Sequence, residues 1–298
     1  MAPPLQPSER IRMTCRDGVQ LGGHFWPAIG EPQGFVVINP ATGVLARYYH
    51  PYASFLAGHG YDVLTYDYRG IGASRPDRLR GCGYRWRDWG QLDFDAAIRL
   101  AAEKRRAGPL LVVGHSVGGF LPGLAESGPL VDRLLTVGAQ YAYWPDYARA
   151  QRLHLFLKWH VAMPVLTALV GYFPGKRLGW LEDLPAGVAN EWSFKRRRTE
   201  WSYPAETRAD VLARFAAFRA PILAIAVTDD ELGTVAAIQR TLAYYSGAGR
   251  QQVVLSPGDI RVEAIGHFGL FHARFADSFW PASLLWLRDG INPWADRA

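Results

Sequence analysis

The stretch VVGHSVGGF, Val112 to Phe120, sets one serine among glycines directly after a run of apolar β-formers. Gly114-His115-Ser116-Val117-Gly118 satisfies the spacing Gly-x-Ser-x-Gly. A side chain raised at a sharp strand-to-helix turn needs strained backbone angles, and bulky residues two positions to either side would collide; glycine removes the collision. The pentapeptide alone also fits a tight turn with an incidental serine. The strand pattern before it and the helix expected from Val117 favour a nucleophile. The Val117 N–H, at that helix's N-terminus, would then point at an oxyanion.

Working outward, apolar β-runs alternate with helical spacing. GFVVINP (Gly34–Pro40) and YDVLTYDY (Tyr61–Tyr68) flank a helical stretch that stops at Gly58 and Gly60. WGQLDFDAAIRLAAEKRR (Trp89–Arg106) repeats Leu92, Ala96 and Leu100 at a helical period. LLTVGAQ (Leu134–Gln140), PILAIAVTDD (Pro221–Asp230) and QQVVLSP (Gln251–Pro257) supply later strands, and HFGLFHARFADSFWPASLLWLRDG closes the chain as a helix kinked at Pro281. This order predicts an α/β fold with a mainly parallel sheet. Two short runs around Asp17-Gly18 predict a hairpin, and hence an antiparallel N-terminal edge.

A serine hydroxyl needs a base to take its proton, and the base needs a carboxylate to orient it. In a strand–turn–nucleophile architecture the acid and then the histidine follow later strands. Asp229 and Asp230 come straight after ILAIAV, with Glu231 a distant third. Only His267 and His272 lie beyond them; His272 falls in the expected closing helix, whereas Gly266 presents His267 on a loop. The catalytic set read from the residues is Ser116, His267 and one of the two aspartates. His115 supports the turn or borders a pocket. Tyr141, Tyr143 and Trp144, after a strand on the same side, line a pocket or pack. Trp86 and Trp89 read as packing residues, and Asp67 and Arg69 as structural pins of a nearby loop.

These motifs resemble the α/β-hydrolase superfamily along nearly the whole chain. YDVLTYDYRGIGASRP carries that family's Asp67, Arg69, Gly70, Gly72 and Ser74 pattern. Gly171–Trp192 and IGHFGLF are similar to a group of bacterial serine hydrolases of poorly defined substrate. The resemblance implies a Ser116–His267–Asp230 triad with Asp229 as the alternative acid, because the family's strand-end pattern falls on Asp230. Where many relatives carry His-Gly after the third strand, this chain has NPATG. The second oxyanion donor implied there is the Ala41 N–H, with Thr42 as fallback, since Pro40 has no N–H.

The 298 residues suffice for a large core, and 49% hydrophobic with 20% charged residues is a globular balance. The expected layout is a hydrolase core over 1–143 and 205–298 with a helical cap inserted over 144–204. The net charge of +6 concentrates in Arg75–Arg87 and Lys195–Arg198, read as solvated basic faces; no nucleic-acid motif accompanies them. Cys15 and Cys82 lack metal-ligand spacing and read as reduced thiols. No metal or other cofactor is implied. The N-terminus lacks a signal core, so a cytoplasmic location is expected. Leu153–Phe173 is apolar but broken by Lys158, two histidines and Pro164, and reads as a cap helix with one greasy face rather than a membrane span. The expected substrate is a small ester or thioester with a hydrophobic acyl or aromatic group, drawn by 11 tryptophans, 14 tyrosines and 14 phenylalanines. An acyltransferase using the same triad, or a silent ligand-binding protein of the same fold, are the alternatives.

Overall fold

A computed structural model describes residues 5–297. The apolar runs become strands β1 (Glu9–Thr14), β2 (Gln20–Trp26), β3 (Gly34–Asn39), β4 (Tyr61–Tyr66), β5 (Leu110–His115) and β6 (Arg133–Val137). Two-residue strands β7 (Tyr172–Phe173) and β8 (Leu184–Pro185) follow, then β9 (Ile222–Val227) and β10 (Arg250–Leu255). Eight of them form one sheet in the order β1-β2-β4-β3-β5-β6-β9-β10. The pairs from β4 to β10 are parallel, and β1 and β2 add the expected antiparallel edge. Every residue of β3, β4, β5 and β9 is buried, as strands covered on both faces must be.

Alternation along these strands builds two cores. Val37, Leu64, Val112 and Leu134 face one side, where the helices Asp95–Lys104 and Arg208–Ala217 pack. Val36, Val63, Leu111 and Leu135 face the other, under the helices His50–Gly58 and Phe279–Asp289. The C-terminal ends of β3, β5, β6, β9 and β10 consequently open on one edge, where an α/β sheet places its ligands.

The helix expected from Val117 does not form. Two 3₁₀ turns, Ser116–Gly119 and Leu121–Leu124, take its place. Gly118, Gly119 and Gly123 resist helical ordering, and Pro122 lacks the N–H a helix would use. These glycines serve close approach instead: a Cβ on Gly118 would lie 2.3 Å from the Asn39 carbonyl oxygen, which is backbone and cannot yield. Gly118→Ala is therefore expected to cost ~3 kcal/mol or more, read as a lowered urea midpoint with unchanged slope.

The closing helix is also shorter than expected. It spans Phe279–Asp289, preceded by 3₁₀ turns at Gly269–Phe271 and Ala273–Phe275, with His272 between them. Pro281 lies in the helix's first turn, where a missing N–H breaks no bond, so no kink follows.

Residues 144–204 lie between β6 and β9 and carry the ribbon β7–β8 and several helical turns. The basic run Arg75–Arg87 fastens this segment rather than facing solvent throughout. Arg75 pairs with Asp183 at 2.9 Å, Arg80 donates to the Val170 carbonyl at 2.5 Å, and Arg87 pairs with Glu191 at 2.5 Å. Lys195 is likewise buried, its ammonium 4.5 Å from the Trp86 ring centroid. Burial pushes that ammonium's pKa down to about 8.

The interruption expected within Leu153–Phe173 does not occur. Arg152–Val170 is one 19-residue helical rod, long and apolar enough by length and composition to cross a membrane, with 28% of its most apolar stretch buried. Pro164 does not break it. It falls where a π-turn, Leu157–Ala162, gives way to the helix Met163–Val170, a start at which its missing N–H is tolerated.

Asp67 and Arg69 do act as pins. The Asp67 carboxylate accepts the N–H groups of Ala46 and Ala73 at 2.7 and 2.8 Å. Buried Arg69 bonds Asp93 and Asp17, each at 2.6 Å, while Trp89 donates to the Arg69 carbonyl at 3.1 Å.

Candidate active site

Ser116 follows β5 with φ 54°, the left-handed region that a residue with a Cβ enters only under strain. The strain is held by backbone packing. Asn39, at the end of β3, donates its side-chain amide to the Gly118 carbonyl at 3.1 Å and accepts the Tyr66 hydroxyl at 2.8 Å. This clamps the turn against the neighbouring strand. Ser116 Oγ accepts from the Gln140 side-chain amide at 3.3 Å, and Ser116 and His267 line one cavity.

His267 Nδ1 and Asp230 Oδ2 are 2.7 Å apart and almost fully buried. Asp230 Oδ1 accepts the N–H groups of Leu232 and Gly233 at 2.8 and 2.7 Å. Burial raises the Asp230 pKa, but the neighbouring imidazole and the two N–H donors outweigh it and hold the carboxyl below its ordinary range. The carboxylate therefore accepts a hydrogen bond from Nδ1–H, and Nε2 is the nitrogen left to accept a proton. Gly138, which follows β6 at φ 58°, makes room: a Cβ there would lie 2.9 Å from Asp230 Oδ2 and 3.1 Å from His267 Nδ1. Asp229 has a different partner. Its carboxylate accepts the Ile265 N–H at 2.8 Å, tethering the loop that carries His267.

His115 is buried behind the site, not in its wall. Its Nε2 meets the His267 carbonyl at 2.8 Å and its Nδ1 the Tyr49 hydroxyl at 2.6 Å. A carbonyl only accepts, so Nε2 carries the proton. Burial lowers the His115 pKa to about 3, so the ring is neutral and Nδ1 must accept the Tyr49 O–H. The Tyr49 oxygen in turn accepts the Ala41 N–H at 2.9 Å.

That chain corrects the expectation for Ala41: its N–H is already spent on Tyr49. The next residue, Thr42, lines the cavity, and its backbone N–H has no protein acceptor among the described residues. The Trp86 indole N–H holds the Thr42 hydroxyl at 3.1 Å. Val117 sits in the first turn of a 3₁₀ helix, where an N–H has no intrahelical acceptor. Among the described residues, neither the Val117 nor the Thr42 N–H has a protein acceptor.

A model of the family described as serine aminopeptidase, S33, matches residues 30–258.

The chain belongs to this hydrolase family.

Two curated proteins resemble the hydrolase over shorter stretches. A monoglyceride lipase of Saccharomyces cerevisiae is 29% identical over 106 residues, 35% of this chain and 34% of the relative. A monoacylglycerol lipase of Mycolicibacterium smegmatis is 31% identical over 104 residues, 34% of this chain and 35% of the relative. Each match spans about a third of the relative's length. Among solved structures, a soluble variant of the S. cerevisiae monoglyceride lipase with a substrate analogue superposes with TM-score 0.64 at 15% identity, covering 96% of this chain and 98% of that one. An esterase of Pyrococcus furiosus gives 0.61 at 16% identity, covering 95% and 91%. At such identities the likeness carries the fold, that of the α/β-hydrolases.

The cavity of this S33 hydrolase is ≈ 450 Å³. Trp86, Trp159, Trp180 and Trp192 line it with Leu155 and Leu181, and charged groups at its margin include Arg47, Lys158, Glu182 and Glu231. Trp86 thus takes a place in the wall that sequence reading gave to packing. The three residues expected beyond β6 do not line the cavity. Tyr141 turns to a separate cleft and donates to the Arg197 carbonyl at 2.6 Å, Tyr143 lies under the Arg240 guanidinium, and Trp144 packs at a tilt against Phe156. The cause is local: Ala142 has φ 62° and donates its N–H to the Gln140 side-chain oxygen. The bend puts Gln140 and Ala142 into the cavity and its neighbours outside. Gln140 is the residue that sequence reading missed. Nothing in its local pattern marks it; only its bond to Ser116 does.

Proposed function

We propose that this hydrolase cleaves a small carboxylic ester or thioester through an acyl-enzyme on Ser116. The observation that carries the reading is the Asp230 carboxyl 2.7 Å from His267 Nδ1, with His267 and Ser116 lining one cavity. Ser116 Oγ attacks the carbonyl carbon while His267 Nε2 takes its proton. The tetrahedral oxyanion rests on the N–H groups of Val117 and Thr42, each such donor being worth ~3 kcal/mol in the transition state. Collapse expels the alcohol or thiol, which receives the proton from His267. Water then repeats the sequence and frees the acid.

The substrate class rests on the cavity. Its volume suits a small ligand, and four tryptophans favour an apolar acyl or aromatic group. The curated relatives are named for monoglycerides, which agrees with an apolar acyl chain on a small polar alcohol. Glu182 and Glu231 could meet the ammonium of an aminopeptide. Arg47 and Lys158 line the same cavity and offset them, so a neutral ester is favoured over a cationic amide. Residues 144–204, which place Trp159, Trp180 and Trp192 over the site, act in this reading as the cap on a core of 1–143 and 205–298.

Labelling with a fluorophosphonate tests the mechanism. Peptide mass spectrometry is expected to find the adduct on Ser116, and Ser116→Ala and His267→Ala are expected to abolish it. A folded wild-type protein that stays unlabelled would overturn the proposal.

A further inference from the structure

On the rod Arg152–Val170, Leu153, Leu157, Val161, Val165 and Leu169 recur every fourth residue, and all five are exposed, by 41% to 76%. Single exposed aliphatic side chains are ordinary, but five in a row make a contiguous apolar patch of the kind that marks an interaction surface. The other face of the rod is committed to the protein. Leu155 and Trp159 line the cavity, Met163 is buried, and His160 bonds the Ser193 carbonyl at 2.7 Å. A helix crossing a bilayer would have to abandon those contacts, whereas one lying on a surface keeps them.

The charges select the surface. The rod contains no carboxylate; of its basic groups His160 is buried on Ser193 and Lys158 borders the cavity, which leaves half-buried Arg152 and exposed His154 near its start. Exposed Arg149 precedes it, and exposed Arg80 caps its far end through the Val170 carbonyl. An apolar stripe between cationic ends is the pattern of a helix that lies in the plane of an anionic lipid surface. A second copy of the chain fits less well. The stripe is one residue wide and about 24 Å long at 1.5 Å per residue, far short of the ~800 Å² per partner that a stable protein pair needs.

We propose that the outer face of Arg152–Val170 docks this protein on anionic phospholipid bilayers. The helix then separates the bilayer on one side from the cavity wall on the other, so that lipid contact and cavity share one element. Docking does not require the ester chemistry, and the test keeps the two apart.

The test is flotation with vesicles of phosphatidylcholine alone or mixed equally with phosphatidylglycerol. Wild type and Ser116→Ala are both expected to float with the mixed vesicles and to be released by added salt. Replacing Leu153, Leu157 and Leu169 together by serine is expected to cut binding by roughly tenfold per leucine. The variant's unchanged circular dichroism and labelling by fluorophosphonate would show that it still folds. Wild type that stays out of both vesicle fractions overturns the proposal. So does undiminished flotation of the folded serine variant. A dimer in analytical ultracentrifugation that the same substitutions dissolve, with no flotation, would assign the stripe to a second copy instead.

Discussion

Ser116→Ala is expected to lower kcat by roughly 10⁴- to 10⁶-fold while leaving the protein folded, as measured by ester turnover and thermal melting. The residual rate would come from the oxyanion donors and binding, which the substitution spares. Ser116→Gly should remove activity equally but raise stability. Holding a side chain at φ 54° costs ~1–2 kcal/mol, and glycine gives back ~0.5–1 kcal/mol of that in the entropy of the unfolded chain. The balance is a gain of up to ~1.5 kcal/mol for glycine. Loss of turnover with a higher Tm at one position is the signature of strain kept for chemistry. An active alanine variant would remove Ser116 from the mechanism.

The features that were legible in the sequence are those fixed by local pattern or chain order. Gly114 and Gly118 announce the turn because each must let backbone pass close by, and a strand can be read ahead of it. His267 follows from its place after the last strand. What failed depended on contacts distant in sequence. The Ala41 N–H is lost to Tyr49 because His115 must accept the Tyr49 proton, and His115 is set in turn by the His267 carbonyl. No spacing rule spans such a relay. The helix expected after Ser116 failed for a reason that was visible, since Gly118, Gly119, Pro122 and Gly123 oppose it. The apolar rod was read as a greasy helix, but only the fold reveals that Leu155 and Trp159 turn inward while the fourfold stripe turns out.

Asp230→Asn is expected to lower kcat by about 10³- to 10⁴-fold, whereas Asp229→Asn should cost less than about tenfold. The difference follows from which atoms are already engaged. Asp230 Oδ1 accepts two backbone N–H groups and must remain oxygen, so in the asparagine the NH₂ group falls at Oδ2 and faces His267 Nδ1. Two donors cannot share that contact. Nδ1 becomes the acceptor, the ring proton moves to Nε2, and the nitrogen needed to receive the Ser116 proton is blocked. Asp229 accepts only the Ile265 N–H, a bond an asparagine oxygen reproduces by rotation. The pH dependence carries the same distinction. The Asp230 carboxyl is held below its ordinary 3.8 in the folded protein, so its contribution to stability is complete above that value and is lost as pH falls through the lower folded one. The stability gap between wild type and Asp230→Asn should therefore persist through neutral pH and narrow only below 3.8 in acid titrations of urea unfolding. A gap already closing near neutral pH would mean that the carboxylate is not held by His267, and the orientation of the imidazole would need another source.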